Sequence, residues 1–442
     1  MLANQLHVVP DDQFQPRTAR DLPQIARRYG LRAELLESVA TAARVLPFRT
    51  NDYVLDRLVD WSSAPDDPIF QLVFPQEEML PADVVAGVRN ALARGGTDGD
   101  ALLDQVVERA RRQMNPHPGG QLELNVPTVG GARLEGVQHK YAETVLYFPA
   151  NGQTCHAYCT YCFRWAQFTG GSSPRFAARG PGPLVEYLRN RPEVTDVLLT
   201  GGDPMVMSAE RLARHLLPLL EVPTVETVRI GTKSIGYWPG RFTTDPDAAA
   251  LLSVLRRVVE SGRTLAVMLH VSHPRELATP DAEAALAQLH GVGARLYGQA
   301  PLIAHVNDEA SVWTELWRAE HRAGIVPYYM FVERDTGPRE YFEVPLRRAR
   351  EVFVEAVRRL PGLARTVRGP VMSATPGKVL VGGDVDLEGQ RWTTCELVQA
   401  RNPELVGRPF LAQFDDQARW LDDLALHPAT PSDLVGALRP AP

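Results

Sequence analysis

The strongest constraint on the fold is a repeat that begins at Thr144. Short apolar runs recur there: TVLYFP from Thr144, DVLLTGG from Asp196, ETVRIGT from Glu226, TLAVMLHV from Thr264, ARLYGQAPL from Ala294 and VPYYMFV from Val326. Between them lie helical patterns over Leu184–Arg191, Ala209–Leu220, Pro246–Glu260, Pro280–His290 and Val312–Ala323. Strands this apolar, each followed by a helix, predict a parallel sheet buried on both faces. Six of them suit either a doubly wound sheet or a partial barrel. Several strands end in polar or glycine-rich tips (TGGD, RIGTK, HVSHP, GQ). The C-terminal ends of parallel strands are where such folds place their sites.

The flanks read differently. Over the first 115 residues or so, apolar positions recur at helical spacing: Leu35, Val39, Ala42 and Val45; Val84, Val88 and Leu92; Leu102, Val106 and Ala110. PDD at Pro65–Asp67 and GGTDGD at Gly95–Asp100 read as breaks, and the Pro/Gly-rich stretch Asn115–Gly136 as a linker. After Pro345 come a helical stretch to Leu360, a Gly/Pro-rich passage over Gly362–Gly383 and a short apolar helix near Ala418–Leu426. At roughly 150 residues per domain, 442 residues divide into about three parts. These are a mainly helical N-terminal domain with linker (1–138), an α/β domain (139–345) and a C-terminal region (346–442).

Composition narrows the function classes. A net charge of -6 without a basic run gives no pull toward nucleic acid. Nothing approaches eighteen uninterrupted apolar residues, so no membrane span is expected. Met1–Pro10 has neither the charged start nor the apolar stretch of a signal peptide. Three of the four cysteines, Cys155, Cys159 and Cys162, crowd into CHAYCTYC. That is a ligand set rather than a disulfide framework, and it places the chain in a reducing, cytoplasmic setting.

Three thiols are one short of a closed zinc site. His156 is badly spaced beside Cys155, and Cys395 is more than two hundred positions away. A thioredoxin-like pair gives the third thiol no role. An iron–sulfur cluster remains, held by three thiolates with one iron open to a small molecule.

CxxxCxxC after the first strand of a parallel α/β unit resembles the radical S-adenosylmethionine superfamily. A narrower resemblance, to the lysine 2,3-aminomutase family, rests on HKY (His139–Tyr141), CxxxCxxCFR (Cys155–Arg164), VTDVLLTGGDPM (Val194–Met205) and VRIGTK (Val228–Lys233). It continues through HVSHPRE (His270–Glu276), GQAPL with HVND, and VPYY (Val326–Tyr329), in the family's order, with DPIFQLVFP (Asp67–Pro75) upstream. The resemblance implies that residues 139–345 form a partial parallel (β/α)6 barrel of radical SAM type. It also implies an isomerase that cleaves S-adenosylmethionine at a [4Fe-4S] cluster on Cys155, Cys159 and Cys162. The resulting 5'-deoxyadenosyl radical would move an amino group from C2 to C3 of an amino acid.

The resemblance carries further expectations. S-adenosylmethionine would meet Tyr161, Gly201, Gly202 and Asp203, and cofactor contacts would fall at His270, Gln299 and Tyr329. Pyridoxal phosphate would be carried by Lys378 in TPGK, with Lys140 near its phosphate. There Thr144 stands where the family has a second basic residue. Arg164 would grip the substrate carboxylate, a task suited to arginine, although Trp165 and Ala166 depart from the family's further arginines. The two aspartates that hold lysine's distal ammonium fall at Arg334, beside Asp335, and near Ser373. An arginine and a serine cannot neutralise a cation, so the expected substrate is a small amino acid other than free lysine. A reducing partner such as flavodoxin or ferredoxin is implied, and a homo-oligomer stays open. The cysteine set that some members use for an inter-subunit zinc is missing. Two alternatives stand beside this reading. One is a pyridoxal-phosphate-independent radical enzyme acting on another amino-acid-like molecule or a protein-bound lysine. The other is a non-catalytic iron–sulfur protein.

Overall fold

Runs of Val, Leu and Ile, each returning through a helix, build one sheet of eleven strands. The structure, a computed structural model, describes residues 13–115, 125–168 and 176–439; Met1–Pro10 and part of the expected linker (116–124) lie outside them. Six strands are parallel neighbours in chain order: β2 (Thr144–Tyr147), β3 (Asp196–Leu199), β4 (Thr227–Thr232), β5 (Thr264–His270), β6 (Arg295–Leu302) and β7 (Ile325–Val332). β1 (Val137–Tyr141) pairs antiparallel with β2 at one edge. Past β7 come β8 (Arg368–Ser373), again parallel, and the antiparallel β9 (Gly377–Leu387), β10 (Gln390–Ala400) and β11 (Pro409–Gln413). The six expected strands are therefore present. What read only as a Gly/Pro-rich passage holds a seventh parallel strand and opens a hairpin.

Strand order argues against a doubly wound sheet. Right-handed crossovers in an order that never reverses put every helix on the same side of the sheet, whereas a doubly wound sheet needs a reversal. Accordingly Val197, Leu199, Val228 and Ile230 are buried and share one core with Leu212 and Leu216, Leu251 and Leu255, Leu286 and Leu289, Trp313 and Trp317 of the covering helices. The alternate residues Asp196, Leu198, Arg229 and Gly231 are only half-buried. The expectation of burial on both faces holds in β5, where Ala266 and Met268 are buried as well as Leu265, Val267 and Leu269, and is corrected in β3 and β4, whose second face is only half-buried. The ends of the sheet approach each other across it. Lys140 in β1 donates to the carbonyl of Ala374 just after β8 (2.5 Å), and β10 packs against β1.

The N-terminal helices include Leu22–Tyr29, Ala33–Ala42, Ala82–Arg94 and Gly96–Gln113. The break at GGTDGD is shorter than expected. Gly95 and Gly96, at φ +62° and +57°, make the turn, and Thr97–Asp100 already belong to the next helix. The expected helix near Ala418–Leu426 is only a 3-10 turn, Leu421–Asp423, whose start is capped by the Asp423 carboxylate accepting from the Arg419 and Trp420 N–H groups. The last helix is Ser432–Leu438.

One buried acid belongs to the scaffold. Glu320, on the helix behind β6, is 1% exposed, and a Cβ at Gly298 would fall on its carboxylate. Burial, helped by Glu276, lifts its pKa from 4.5 to about 8. A raised carboxyl pKa means stability that is full below about pH 4.5 and lost as pH rises through about 8. Glu320→Gln removes that titration. Thermal melts from pH 5.5 to 8.5 should fall for the parent and stay flatter for the variant, a difference on the order of 3 kcal/mol at the alkaline end.

Candidate functional site

The three cysteines lie on the loop after β2, and the N-terminal region holds that loop from behind. Tyr158 N–H donates to the Arg49 carbonyl (2.8 Å), Thr160 N–H to Leu72 (3.0 Å) and the Thr160 hydroxyl to Gln71 (2.7 Å). The Asn51 amide bonds the carbonyls of His156 and Tyr237. Ala157, Tyr161 and Trp165 complete the N-terminal core. DPIFQLVFP thus has a structural purpose: Gln71 and Leu72 carry the loop, and Asp67 pairs with Arg275 of HVSHPRE.

The two glycines of GGD permit a close approach, and the neighbour is the cysteine loop. Gly201 is at φ +134°, and a Cβ there would meet the Gln153 amide at 2.1 Å. One at Gly202 would meet the Thr154 backbone at 2.4 Å. The Asp203 carboxylate is 3% exposed and accepts from Met205 N–H, Lys233 N–H, and the Thr232 and Ser234 hydroxyls. It locks the ends of β3 and β4 beneath the cysteines. Tyr161 is likewise an anchor, its hydroxyl shared with His270 Nε2 and Ser272 Oγ at 2.9 Å each. Burial keeps His270 neutral by pushing its pKa well down, with the Lys233 charge adding to this.

Sequence reading assigned no role to Lys233, Glu276 or Tyr237. Lys233 Nζ bonds Glu276 at 2.5 Å, with the pair 9% and 0% exposed, and lies 4.6 Å from the centre of the Tyr237 ring. The Tyr237 hydroxyl is 3.6 Å from Cys159 Sγ. Lys233 and Glu276 stand within quoted stretches, so their polar character in apolar company was the available signal.

Burial raises all three loop thiols, Cys162 to about 12. They enter a metal site by losing their protons to solvent as the thiolates bind the cation. Among the described residues no three His, Cys, Asp or Glu side chains converge on a single ion. A cubane asks for something else, since each of its thiolates holds a different iron, and an all-thiol set suits iron–sulfur ligation. The fourth cysteine, Cys395, is packed in the separate C-terminal core.

Arg164 follows the cysteines into the interior. It is 6% exposed; Nη2 donates to Gln153 and Gln167, while Nε and Nη1 are buried without a partner among the described residues. Burial lowers its pKa to about 10, opposed by Cys162 and Cys155. A buried guanidinium without a carboxylate calls for an anion.

Another group forms on the second face of the sheet. His270, Gln299 and Tyr329 sit side by side across β5, β6 and β7. The Lys378 ammonium lies 4.4 Å from the centre of the Tyr329 ring, with Tyr141 and Phe331 at 5.8 and 5.9 Å. Ser373 is directly opposite Lys378 in the β8–β9 register. Burial, then Arg229 and Arg368, lower Lys378 to about 8. Burial, then Arg401, Arg334 and Lys378, lower Lys140 to about 7. Arg334 joins the two groups. Its guanidinium stands 5.2 Å from the Phe163 ring beside Cys162, its charge acts on Lys140 and Tyr141, and its Nε is buried without a partner. Asp335 stands beside it, and with the buried Glu333 it opposes the burial that lowers the Arg334 pKa; Glu333 itself lies well above the carboxylate range because it is buried.

An α/β protein with a parallel-rich sheet, three thiols on the first crossover loop and a half-buried lysine against the Tyr329 ring defines the class. The chain belongs to the lysine 2,3-aminomutase family. It is 31% identical over 377 residues to an Aquifex aeolicus protein described as "Putative L-lysine 2,3-aminomutase", covering 85% of this chain and 87% of that one. It is 30% identical over 224 residues to the L-lysine 2,3-aminomutase of Acetoanaerobium sticklandii, spanning about half of each chain (51%). With that of Escherichia coli K12 it is 29% identical over 247 residues, 53% of this chain and 67% of that one. No family model matches. Among solved structures, Streptococcus suis SuiB bound to its precursor peptide SuiA aligns with 57% of this chain and 49% of that one, at a TM-score of 0.35 and 12% identity.

Proposed function

We propose that this chain is a radical S-adenosylmethionine aminomutase with its curved sheet as a partial barrel, acting on an amino acid whose side chain is not a cation. What supports this reading is that Arg334 lies 5.2 Å from the Phe163 ring beside Cys162 while its charge and that of Lys378 both act on Lys140. Bound there, a [4Fe-4S] cluster with S-adenosylmethionine supplies a carbon radical, and pyridoxal phosphate supplies a conjugated system on which nitrogen moves. The chain's own residues do the rest. Cys155, Cys159 and Cys162 hold iron, and Arg164 holds the substrate's carboxylate through the N–H groups that lack partners. Lys378 holds the pyridoxal aldehyde, its amine made reactive near neutral pH by burial. Arg334 and Ser373 face the substrate's distal end, where an arginine favours a carboxylate. The residues fit both groups: three thiols without a fourth, and an amine among aromatic rings beside unpartnered cations. The reading calls for an electron donor of the flavodoxin or ferredoxin kind.

The test is anaerobic reconstitution followed by incubation with S-adenosylmethionine, dithionite and an amino-acid panel. We expect β-amino products from an acidic or neutral amino acid, with lysine poor. Cys162→Ala should lose cluster absorbance and all 5'-deoxyadenosine. An intact cluster in the parent that forms no 5'-deoxyadenosine would overturn the enzyme reading.

A further inference from the structure

The family's second basic residue near the cofactor phosphate is absent at Thr144, which is 6% exposed and paired in register with Tyr141. The fold brings another cation to the same place from the far end of the sheet. Gln399 lies opposite Lys378 in the β9–β10 register, and Arg401 follows two positions on, just past β10. Its backbone N–H donates to the Pro376 carbonyl (3.0 Å) and its Nε to Thr375 (2.9 Å). Lys140 reaches the neighbouring carbonyl, Ala374, from β1 (2.5 Å). The two cations therefore clasp consecutive peptide units of the turn that leads into Lys378. Neither Lys140, Arg401 nor Lys378 hydrogen-bonds a carboxylate among the described residues. Arg334, the third cation near Lys140, has a buried Nε without a partner. Arg401, Arg334 and Lys378 all press on Lys140; Asp196 offsets part of this at Lys378, and Asp335 and Glu333 part of it at Arg334, which leaves Lys140 and Arg401 as the pair that an anion would stabilise.

We propose that Arg401 is a phosphate-binding residue: with Lys140 it holds the phosphate of pyridoxal phosphate while Lys378 holds the aldehyde, in place of the missing basic residue at 144. This rests on the cofactor reading above. Arginine suits the role, because its fork meets a phosphate with several donors while Nε stays on the turn. The pairing also explains why the C-terminal hairpin runs back to β1.

The experiment titrates cofactor-free protein with pyridoxal phosphate and with pyridoxal, following the visible absorbance of the lysine adduct. We expect Arg401→Ala to weaken pyridoxal phosphate about 10- to 100-fold while pyridoxal changes less than about twofold. Arg401→Lys should recover part of the loss, and inorganic phosphate should compete in the parent but hardly in Arg401→Ala. Arg401→Gln, which keeps a donor for the Thr375 carbonyl, covers the case in which the alanine variant is poorly folded. Equal weakening of both compounds would make Arg401 merely a support of the turn and overturn the proposal. Unchanged affinity for pyridoxal phosphate would do the same. If the parent forms no Lys378-dependent adduct with either compound, the cofactor reading itself falls.

Discussion

Replacing Arg164 by methionine should raise thermal stability and cut turnover together. Methionine keeps the apolar stem, gives up the guanidinium's contact over the Phe148 ring, and removes a buried charge whose Nε and Nη1 have no partner among the described residues. Each such buried group costs about 1–3 kcal/mol, so a gain on the order of 1–2 kcal/mol is expected once the contacts to Gln153 and Gln167 are lost. The catalytic effect has the opposite sign. Losing the cation opposite a buried carboxylate costs about 2–5 kcal/mol, a fall in kcat/KM of roughly 30- to 4,000-fold. Cluster absorbance and slow 5'-deoxyadenosine release without substrate should persist, because the three thiols are untouched. A melt showing Arg164→Met less stable than the parent by more than a degree or two would mean that the guanidinium is a structural strut.

Lys378→Ala is expected to have the largest effect of all. The amine lies against the Tyr329 ring within reach of the Arg229, Arg368 and Asp196 charges, and its pKa of about 8 leaves an uncharged fraction at neutral pH. Removing it should abolish the visible absorbance of bound pyridoxal phosphate and lower amino-group migration by about three orders of magnitude or more, with iron content unchanged. Uptake of the cofactor by the parent should quicken with rising pH and level off just above pH 8, since the uncharged amine reacts. An ordinary lysine would go on quickening toward pH 10.4. Full activity in Lys378→Ala would move the reading to a radical enzyme without pyridoxal phosphate.

Much of this site could be read from spacing. CxxxCxxC placed three ligands on a loop, and the six apolar runs placed that loop after the first parallel strand. Local signals suffice for these because each lies within a dozen residues. Arg164 was legible for the same reason, as a neighbour of the cysteines. Arg401 was not: RNPELVG carries no motif, and its partner Lys140 is 261 positions earlier. Lys233 and Glu276 stood in plain view within matched stretches, yet nothing local says that their charges meet beside Cys159.

By itself the sequence determined the strand–helix repeat, the ligand loop and the glycines that let β3 approach it, all consequences of local pattern and backbone freedom. Tertiary structure decided three other things. It put every helix on one face of the sheet, because the strand order never reverses. It made the N-terminal helices the back wall of the cysteine loop. It also brought β1 and β10 together, so that Arg401, Arg334 and Lys378 act on Lys140. The physical reason is that burial and like-charge proximity depend on distance in space, and only the folded sheet sets those distances.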